Sequence, residues 1–321
     1  MPRKLAQGQI LLRILIATVL FSGCATASKS ARESGQPNPT AAPAPEVYGP
    51  PVTPAPPAYG PEPISVRPVV LVLGPGLARG FAYAGAIEAL TNSGVPIGAI
   101  LGTEVGALVA TLYAMSGNEN DFEWALVQIK DDALTERNSF FSNWVRHSSA
   151  GDSLSEELRG ILGSKDLQAA RIPLRIAIQK SGASNSIVLD RGLAAQAVRA
   201  AISVPGALSP VSWDGGLAES SDGTLPFLVD EAKRLGIGPV VVVDVLGGGS
   251  GAVAPTGLVA MMARSEAVGQ AELKEADVVI RPEMSGFGYL DFSRRTDAEY
   301  LGKSATEAQL RDIKKWVGLP E

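Results

Sequence analysis

The chain has 321 residues, of which 45% are hydrophobic, and 28 Lys and Arg stand against 33 Asp and Glu, a formal charge of −5. The hydrophobic content allows a packed core and excludes disorder of the whole chain, and the acidic balance argues against a nucleic-acid binder. With one histidine, His147, and one cysteine, Cys24, zinc sites built on His or Cys and disulfides within the chain are excluded. We predict no metal site and no other cofactor.

Residues 1–23 have the pattern of a secretory signal peptide. Arg3 and Lys4 precede an apolar stretch at residues 14–21 that is too short to span a bilayer as a mature helix. Small residues directly before Cys24 resemble a bacterial lipobox, which implies cleavage before Cys24 and its acylation; an incidental cysteine is the alternative. Because Ala25 rather than aspartate follows, we expect sorting to the outer membrane, with the protein facing the periplasm and anchored through its lipid.

Residues 24–68 have the composition of a tether. Twelve of the 23 prolines lie between Pro37 and Pro68. Such a segment cannot bury a core and favours the extended polyproline II conformation. We predict a stalk that holds a folded domain away from the membrane, and the alternative is a docking site for a proline-binding partner.

From residue 69 onward, short apolar runs alternate with helical patterns. The predicted strands are Val69–Leu73, Ile97–Leu101, Leu174–Ile178, Ser186–Leu189, Pro239–Val245 and Val278–Ile280. The predicted helices cover residues 81–90, 107–115, 194–201, 227–235 and 296–317. This alternation predicts an α/β sandwich with a mainly parallel sheet. No second core is indicated, so residues 69–318 are predicted to form one domain.

A glycine-rich turn at residues 74–80 joins the first predicted strand to the first helix. Glycines there allow backbone N–H groups to approach an anion or an oxyanion, and the helix N-terminus adds its positive end. The turn does not match a dinucleotide fingerprint because Arg79 stands where that motif has its third glycine. Arg79 has two possible roles: it could contact a phosphate or an anionic product, or brace the loop by pairing with a carboxylate such as Glu104.

The motifs and their order resemble the patatin-like phospholipases, in the bacterial branch near neuropathy target esterase. Residues 74–80 resemble the oxyanion loop of that family, and residues 102–106 resemble its nucleophile elbow. The matching loop and elbow positions are Gly74, Gly76, Leu77, Arg79, Gly80, Gly102 and Gly106. The resemblance covers about residues 69–318, with its main motifs in residues 69–245. The resemblance implies a three-layer α/β/α sandwich fold. It also implies an enzyme that hydrolyses acyl esters with a Ser-Asp dyad and without histidine.

The elbow departs from the family pattern at its central residue. The family has a serine in the middle of G-x-S-x-G, and this chain has Glu104 there. A carboxylate that attacks an ester forms an anhydride, which is a poor route to hydrolysis. We therefore hypothesise that Glu104 accepts hydrogen bonds from the N–H groups of Gly76, Leu77 or Val105 and fills the site itself. The alternative is that Glu104, with a pKa raised by an apolar pocket, acts as a general base for water.

Two residues are candidates for the dyad acid, Asp214 and Asp222, and neither has the family spacing before Leu225. The pair Asp214-Gly215 predicts a hairpin turn, and Asp222 would lie in a remodelled loop. The sequence therefore predicts an envelope lipoprotein with an impaired acyl-hydrolase fold that binds lipid or fatty acid or serves as a scaffold. The alternative is an active lipid acyl hydrolase with an atypical site. The sequence does not identify a protein partner.

Overall fold

The computed structural model describes residues 66–130, 133–134, 150–248 and 256–320. The predicted signal peptide, Cys24, most of the predicted tether and His147 lie outside these ranges, so the assignments made for them stay predictions. The chain divides into two units, Met1–Tyr59 and Gly60–Glu321, and every described residue belongs to the second. None of the helices in the described ranges combines the length and hydropathy that a membrane span requires.

The strands of the described residues form one sheet of eight. They are β1 (Val69–Leu73), β2 (Ile97–Thr103), β3 (Leu174–Lys180), β4 (Ser186–Leu189), β5 (Val211–Trp213), β6 (Gly216–Glu219), β7 (Val240–Val243) and β8 (Val278–Ile280). The order is β5-β6-β3-β2-β1-β7-β8, and β4 also pairs with β3. The pairs from β3 through β2, β1 and β7 to β8 are parallel, whereas β4, β5 and β6 pair antiparallel. The predicted mainly parallel sheet is confirmed.

Most helices of the described ranges lie between strands along the chain, and two follow the last strand. They are α1 (Ala82–Asn92), α2 (Val105–Met115), α3 (Glu119–Val127), α4 (Ala150–Leu162), α5 (Ala194–Ala201), α6 (Val229–Leu235), α7 (Thr256–Leu273), α8 (Arg295–Glu307) and α9 (Leu310–Val317). Short 3-10 turns cover Leu77–Phe81, Leu167–Ala169 and Phe292–Arg294.

The prediction of one closing helix over residues 296–317 is wrong, because the segment forms two helices. The chain leaves helical geometry at Gln309, which has φ −108° and ψ 0°. The Gln309 side chain donates a hydrogen bond to the Val279 carbonyl of edge strand β8 at 3.1 Å. Helix α9 then starts with N–H groups that donate to the Gln309 carbonyl. This contact with a distant strand leaves no mark on the local helical periodicity, which continues through the junction.

The register of β1 and β2 brings the two predicted functional loops together. All five side chains of β1 are fully buried, as expected for a central parallel strand with both faces covered. Leu73 at the end of β1 lies opposite Gly102 of β2 and opposite Val243 of β7. The loops that leave these carboxyl ends, residues 74–80 and 102–106, therefore meet at one edge of the sheet, where α/β proteins place their ligands.

Candidate functional site

Glu104 lies in a sharp turn between β2 and α2. Its backbone has φ 48° and ψ −125°, in the positive-φ region that residues other than glycine seldom adopt. The turn needs its two glycines: a Cβ on Gly102 would lie 2.3 Å from the Gly106 carbonyl oxygen, and a Cβ on Gly106 would lie 2.2 Å from the Leu73 carbonyl oxygen. This strained strand-to-helix turn has the form of a nucleophile elbow, in which the central side chain is held at the head of a helix.

The glycine-rich loop directs two backbone N–H groups at the Glu104 side chain. The N–H of Gly76 donates to Glu104 Oε2 at 2.5 Å, and the N–H of Leu77 donates to the same oxygen at 2.8 Å. Leu77 also has a positive φ, of 50°, and a Cβ on Gly76 would lie 2.4 Å from the Val245 side chain. The hydrogen bonds predicted from Gly76 and Leu77 are therefore present, and they occupy the donors of the loop.

The Glu104 carboxyl group is almost completely buried, with 2% of the residue exposed. The pKa of Glu104 is raised to about 8, chiefly by burial and to a smaller extent by the negative charge of Asp222. Hydrogen bonds from the backbone N–H groups of Leu77, Gly76 and Val105 favour the ionised form and oppose this rise. Since desolvation is the largest of these effects, Glu104 holds its proton to a higher pH than an exposed glutamate does.

Asp222, the candidate dyad acid predicted to lie in a remodelled loop, is buried close to Glu104. The residue is fully buried, and neither carboxylate oxygen has a hydrogen-bond partner in the described part of the chain. Burial raises the pKa of Asp222 to about 7, against a smaller opposing effect of the neighbouring Ser220 hydroxyl. A tight turn, in which the N–H groups of Thr224 and Leu225 donate to the Ser221 carbonyl, directs Asp222 inward. Counting residues back from Leu225 does not detect that turn.

Asp214, the other candidate acid, lies outside the site. It stands in the turn between β5 and β6 with φ 43°, followed by Gly215 with φ 74°. Its side chain is 77% exposed and pairs with Lys180 Nζ at 2.8 Å. That hydrogen bond lowers the pKa of Asp214. The predicted hairpin turn at this position is confirmed, and Asp222 alone of the two acids stands beside Glu104.

Arg79 braces the glycine-rich loop from within the core. The guanidinium is completely buried and stacks over the Tyr289 ring, with 4.0 Å between Cζ and the ring centroid. It donates to the Phe287 carbonyl at 2.6 and 2.9 Å and to the Gly247 carbonyl at 3.0 Å. Of the two predicted roles, bracing is confirmed, with the correction that main-chain carbonyls and not Glu104 accept these bonds. The arrangement ties the loop to the segment that follows β7.

Other residues that the sequence did not single out hold the site in shape. The hydroxyl of Thr103 donates to the Pro226 carbonyl at 2.6 Å, and the Phe227 ring fills the space that a Cβ on Gly74 would need, 2.2 Å away. The buried Tyr83 hydroxyl donates to the Gly74 carbonyl at 2.9 Å. The Thr103–Pro226 and Phe227–Gly74 contacts join segments that are remote along the chain, so no local sequence pattern indicates them.

A third acid, Asp244, lies close to this site at the end of β7. It is nearly buried, and its carboxylate accepts hydrogen bonds from the Leu246 N–H at 3.1 Å and from Arg281 Nε at 3.3 Å. Burial, followed by the charges of Glu104, Asp244 and Asp222, raises the pKa of Tyr83 well above its ordinary value. The described ranges contain no group of three or more His, Cys, Asp or Glu side chains arranged to hold a metal ion.

Comparison with known proteins gives matches in sequence and in structure. Residues 71–229 match the family model described as patatin-like phospholipase. An uncharacterized NTE family protein of Mycobacterium tuberculosis is 31% identical over 153 residues, which cover 46% of this chain and 41% of that protein. Lysophospholipase NTE1 of Meyerozyma guilliermondii is 26% identical over 193 residues, which cover 57% of this chain and 13% of that protein. The chain therefore spans less than half of the length of these relatives.

Among solved structures, VipD from Legionella pneumophila superposes on this chain with a TM-score of 0.50 and 12% sequence identity. The superposition covers 78% of this chain and 67% of VipD. At this identity the likeness concerns the fold, which agrees with the predicted α/β sandwich.

Proposed function

Given that the chain belongs to the patatin-like phospholipase family, near the NTE proteins, we propose that it is a catalytically impaired member whose own Glu104 fills the oxyanion hole. The observation that carries this proposal is the pair of hydrogen bonds to Glu104 Oε2, from Gly76 N–H at 2.5 Å and Leu77 N–H at 2.8 Å. In an acyl hydrolase, such donors bind the oxygen that becomes negatively charged in the transition state.

Two physical effects of the Glu104 side chain oppose ester hydrolysis. Its carboxyl group already occupies the N–H donors, so a substrate carbonyl would have to displace an acceptor held by its own chain. Removal of a single oxyanion donor from a hydrolase costs about 10² to 10³ in rate, and here two donors are occupied. The carboxylate is also a poor nucleophile toward an ester, because the product is an anhydride. Asp222 by itself does not supply the missing nucleophile.

The function proposed in place of hydrolysis is lipid or fatty-acid binding, or a scaffold role, in the cell envelope. Support comes from the family, in which one relative carries the name lysophospholipase, and from the intact elbow and loop geometry around Glu104. The signal-peptide and lipobox patterns before Cys24 support a lipid anchor and an outer-membrane location facing the periplasm.

The second candidate function is hydrolysis by a serine-independent site. One observation favours it: burial raises the pKa of Glu104 to about 8 and that of Asp222 to about 7, so near neutral pH the pair can hold one proton and one charge. An acid and a base side by side are what water activation requires. The hydrogen bonds that fix Glu104 in the loop oppose this alternative, because the base would have to leave its donors to reach water.

The two functions separate in an ester-hydrolysis assay on the full chain in detergent. We expect background turnover of p-nitrophenyl butyrate by the wild-type protein and by Glu104→Gln, and clear turnover by Glu104→Ser, because the serine frees the two N–H donors. Wild-type turnover that Glu104→Gln abolishes would establish the serine-independent enzyme and refute the impaired one.

A further inference from the structure

A second feature of the domain lies on the surface formed by α1, α3 and α8. Close approach of α1 and α8 forms its floor, since a Cβ on Gly85 would lie 1.8 Å from the Glu299 carbonyl oxygen. One face of α3 forms the wall, and the three helices enclose a cavity of about 240 Å³. We call this surface the α1–α3–α8 groove. Its lining includes Glu88, Glu119, Phe122, Glu123, Val127 and Glu299.

The four glutamates of the groove outnumber the two neighbouring cations, Lys303 and Arg295. Glu88 is paired with Lys303, whose Nζ lies 2.5 Å from Glu88 Oε1, and the charge of Arg295 lowers the pKa of Glu299 against the larger effect of burial. Glu119 Oε1 is buried and has no hydrogen-bond partner among the described residues. Burial raises the pKa of Glu119 and the charges of Glu123 and Glu88 raise it too, whereas the Lys303 charge and a hydrogen bond with the Thr91 side chain oppose the rise. An additional positive group would weaken the repulsion among these carboxylates.

Apolar side chains stand directly beside these carboxylates. Phe122 is buried in the wall, whereas Val127 is 72% exposed and Trp124 is 66% exposed. Val127 and Trp124 are three residues apart on α3, so their side chains are neighbours on one flank of the helix. Single exposed apolar residues need no explanation, but two of them on a nine-residue helix beside an acidic cavity form a surface of mixed character.

We propose that the α1–α3–α8 groove is a docking surface for a cationic amphipathic segment of a partner protein. A lysine or arginine of the segment enters the cavity between Glu119, Glu123 and Glu299, and an adjacent apolar side chain packs on Trp124 and Val127. The cavity is smaller than the roughly 300 to 1,000 Å³ of small-molecule pockets, so it fits one long side chain and not a whole metabolite.

Charge selects this occupant over two others. An anionic lipid surface has the same sign as the groove and attracts basic segments instead. A second copy of this chain carries a formal charge of −5, so association through an acidic surface would bring like charges together. The proposal is independent of the state of Glu104, because none of the groove residues contributes to that site.

Calorimetry with two synthetic peptides tests the proposal on the full chain in detergent. We expect the amphipathic peptide acetyl-KLLKKLLK-amide to bind in 50 mM NaCl and the acidic peptide acetyl-ELLEELLE-amide not to bind. The double variant Glu119→Gln/Glu123→Gln should weaken binding at least tenfold. The matched control Glu156→Gln/Glu283→Gln removes the same charge from exposed positions elsewhere and should change the affinity less than twofold.

Further variants keep the proposal falsifiable if the double variant folds poorly. Glu299→Gln, on a different helix, should weaken the amphipathic peptide at least threefold. Trp124→Ala should weaken that peptide but leave tetralysine binding unchanged, because tetralysine has no apolar side chain to pack there. If the groove double variant and the control double variant lose equal peptide affinity, binding results from general electrostatic attraction, and the proposal is overturned. The proposal would also be overturned if the protein binds phosphatidylglycerol vesicles, or self-associates in sedimentation, and Trp124→Ala abolishes that binding or association.

Discussion

Glu104 Oε2 lies 2.5 Å from the backbone nitrogen of Gly76, so the side chain at the nucleophile position occupies the donor that a substrate oxygen would use. A serine at position 104 is too short to reach these donors and would leave them open. In the proposed function, Glu104 stands at the position of the family nucleophile and fills the binding site for the oxyanion. The second acid of the site, Asp222, is retained in a buried position beside it.

The first prediction concerns which aspartate supports a restored nucleophile. In the Glu104→Ser background, Asp222→Asn should reduce p-nitrophenyl butyrate turnover at least a hundredfold, because the new serine loses its base. Asp214→Asn in the same background should leave turnover within twofold, since Asp214 is exposed in a hairpin turn and pairs with Lys180. Equal losses in both variants would contradict the assignment of Asp222.

The second prediction concerns stability against pH. The folded-state pKa is about 8 for Glu104 and about 7 for Asp222, against 4.5 and 3.8 for the free groups. The folded protein therefore holds protons that the unfolded chain releases, and the free energy of unfolding falls as pH rises from about 4 to about 8.

Urea denaturation at pH 5, 7 and 9 measures this dependence. Glu104→Gln cannot ionise, yet its carbonyl still accepts from Gly76 and Leu77. We expect Glu104→Gln to gain on the order of 4 kcal/mol relative to the wild-type protein between pH 5 and pH 9. Asp214→Asn removes a solvent-exposed acid instead, and its unfolding free energy should show no comparable gain relative to the wild-type protein. If the difference in unfolding free energy between the wild-type protein and Glu104→Gln is constant with pH, Glu104 does not hold a proton in a buried position.

The third prediction concerns the glycines of the elbow. Gly106→Ala should destabilise the protein by about 3 kcal/mol, because its Cβ would lie 2.2 Å from the Leu73 carbonyl oxygen and rigid backbone would have to shift. Gly160→Ala, within α4, meets no atom within 4 Å and should stabilise the protein by about 0.5 to 1 kcal/mol through helix propensity. Thermal melting of both variants checks the contrast, and similar melting temperatures would contradict it.

The fourth prediction concerns the brace of the glycine-rich loop. Arg79→Lys keeps the charge but loses the planar fork that contacts the Phe287 and Gly247 carbonyls, so we expect a loss of about 3 kcal/mol in unfolding free energy. Arg191→Lys changes an arginine whose side chain is 72% exposed and should stay within about 0.5 kcal/mol of wild type. If both variants melt alike, Arg79 does not brace the loop.

The sequence by itself determined the parts of this protein that depend on local pattern. Continuous apolar runs predicted β1, β2, β7 and β8, because a strand buried on both faces has no polar alternation. Gly102, Gly106 and the glycine-rich loop predicted two tight strand-to-helix turns, because only glycine allows such close backbone approach. The sequence also shows a glutamate, Glu104, between the elbow glycines, and the consequence for nucleophilic chemistry stays a prediction.

The tertiary structure decided what depends on contacts between remote segments. Residue spacing placed Asp222 outside the dyad, whereas the inward turn of its loop buries it beside Glu104, 118 positions earlier in the numbering. Asp214 and Asp222 both precede a glycine, and only their burial separates a hairpin turn from a site residue. The partners of Arg79 are carbonyls more than 160 positions away along the chain. Such contacts leave no local periodicity, so the sequence could predict the residue types of the site but not which of them meet.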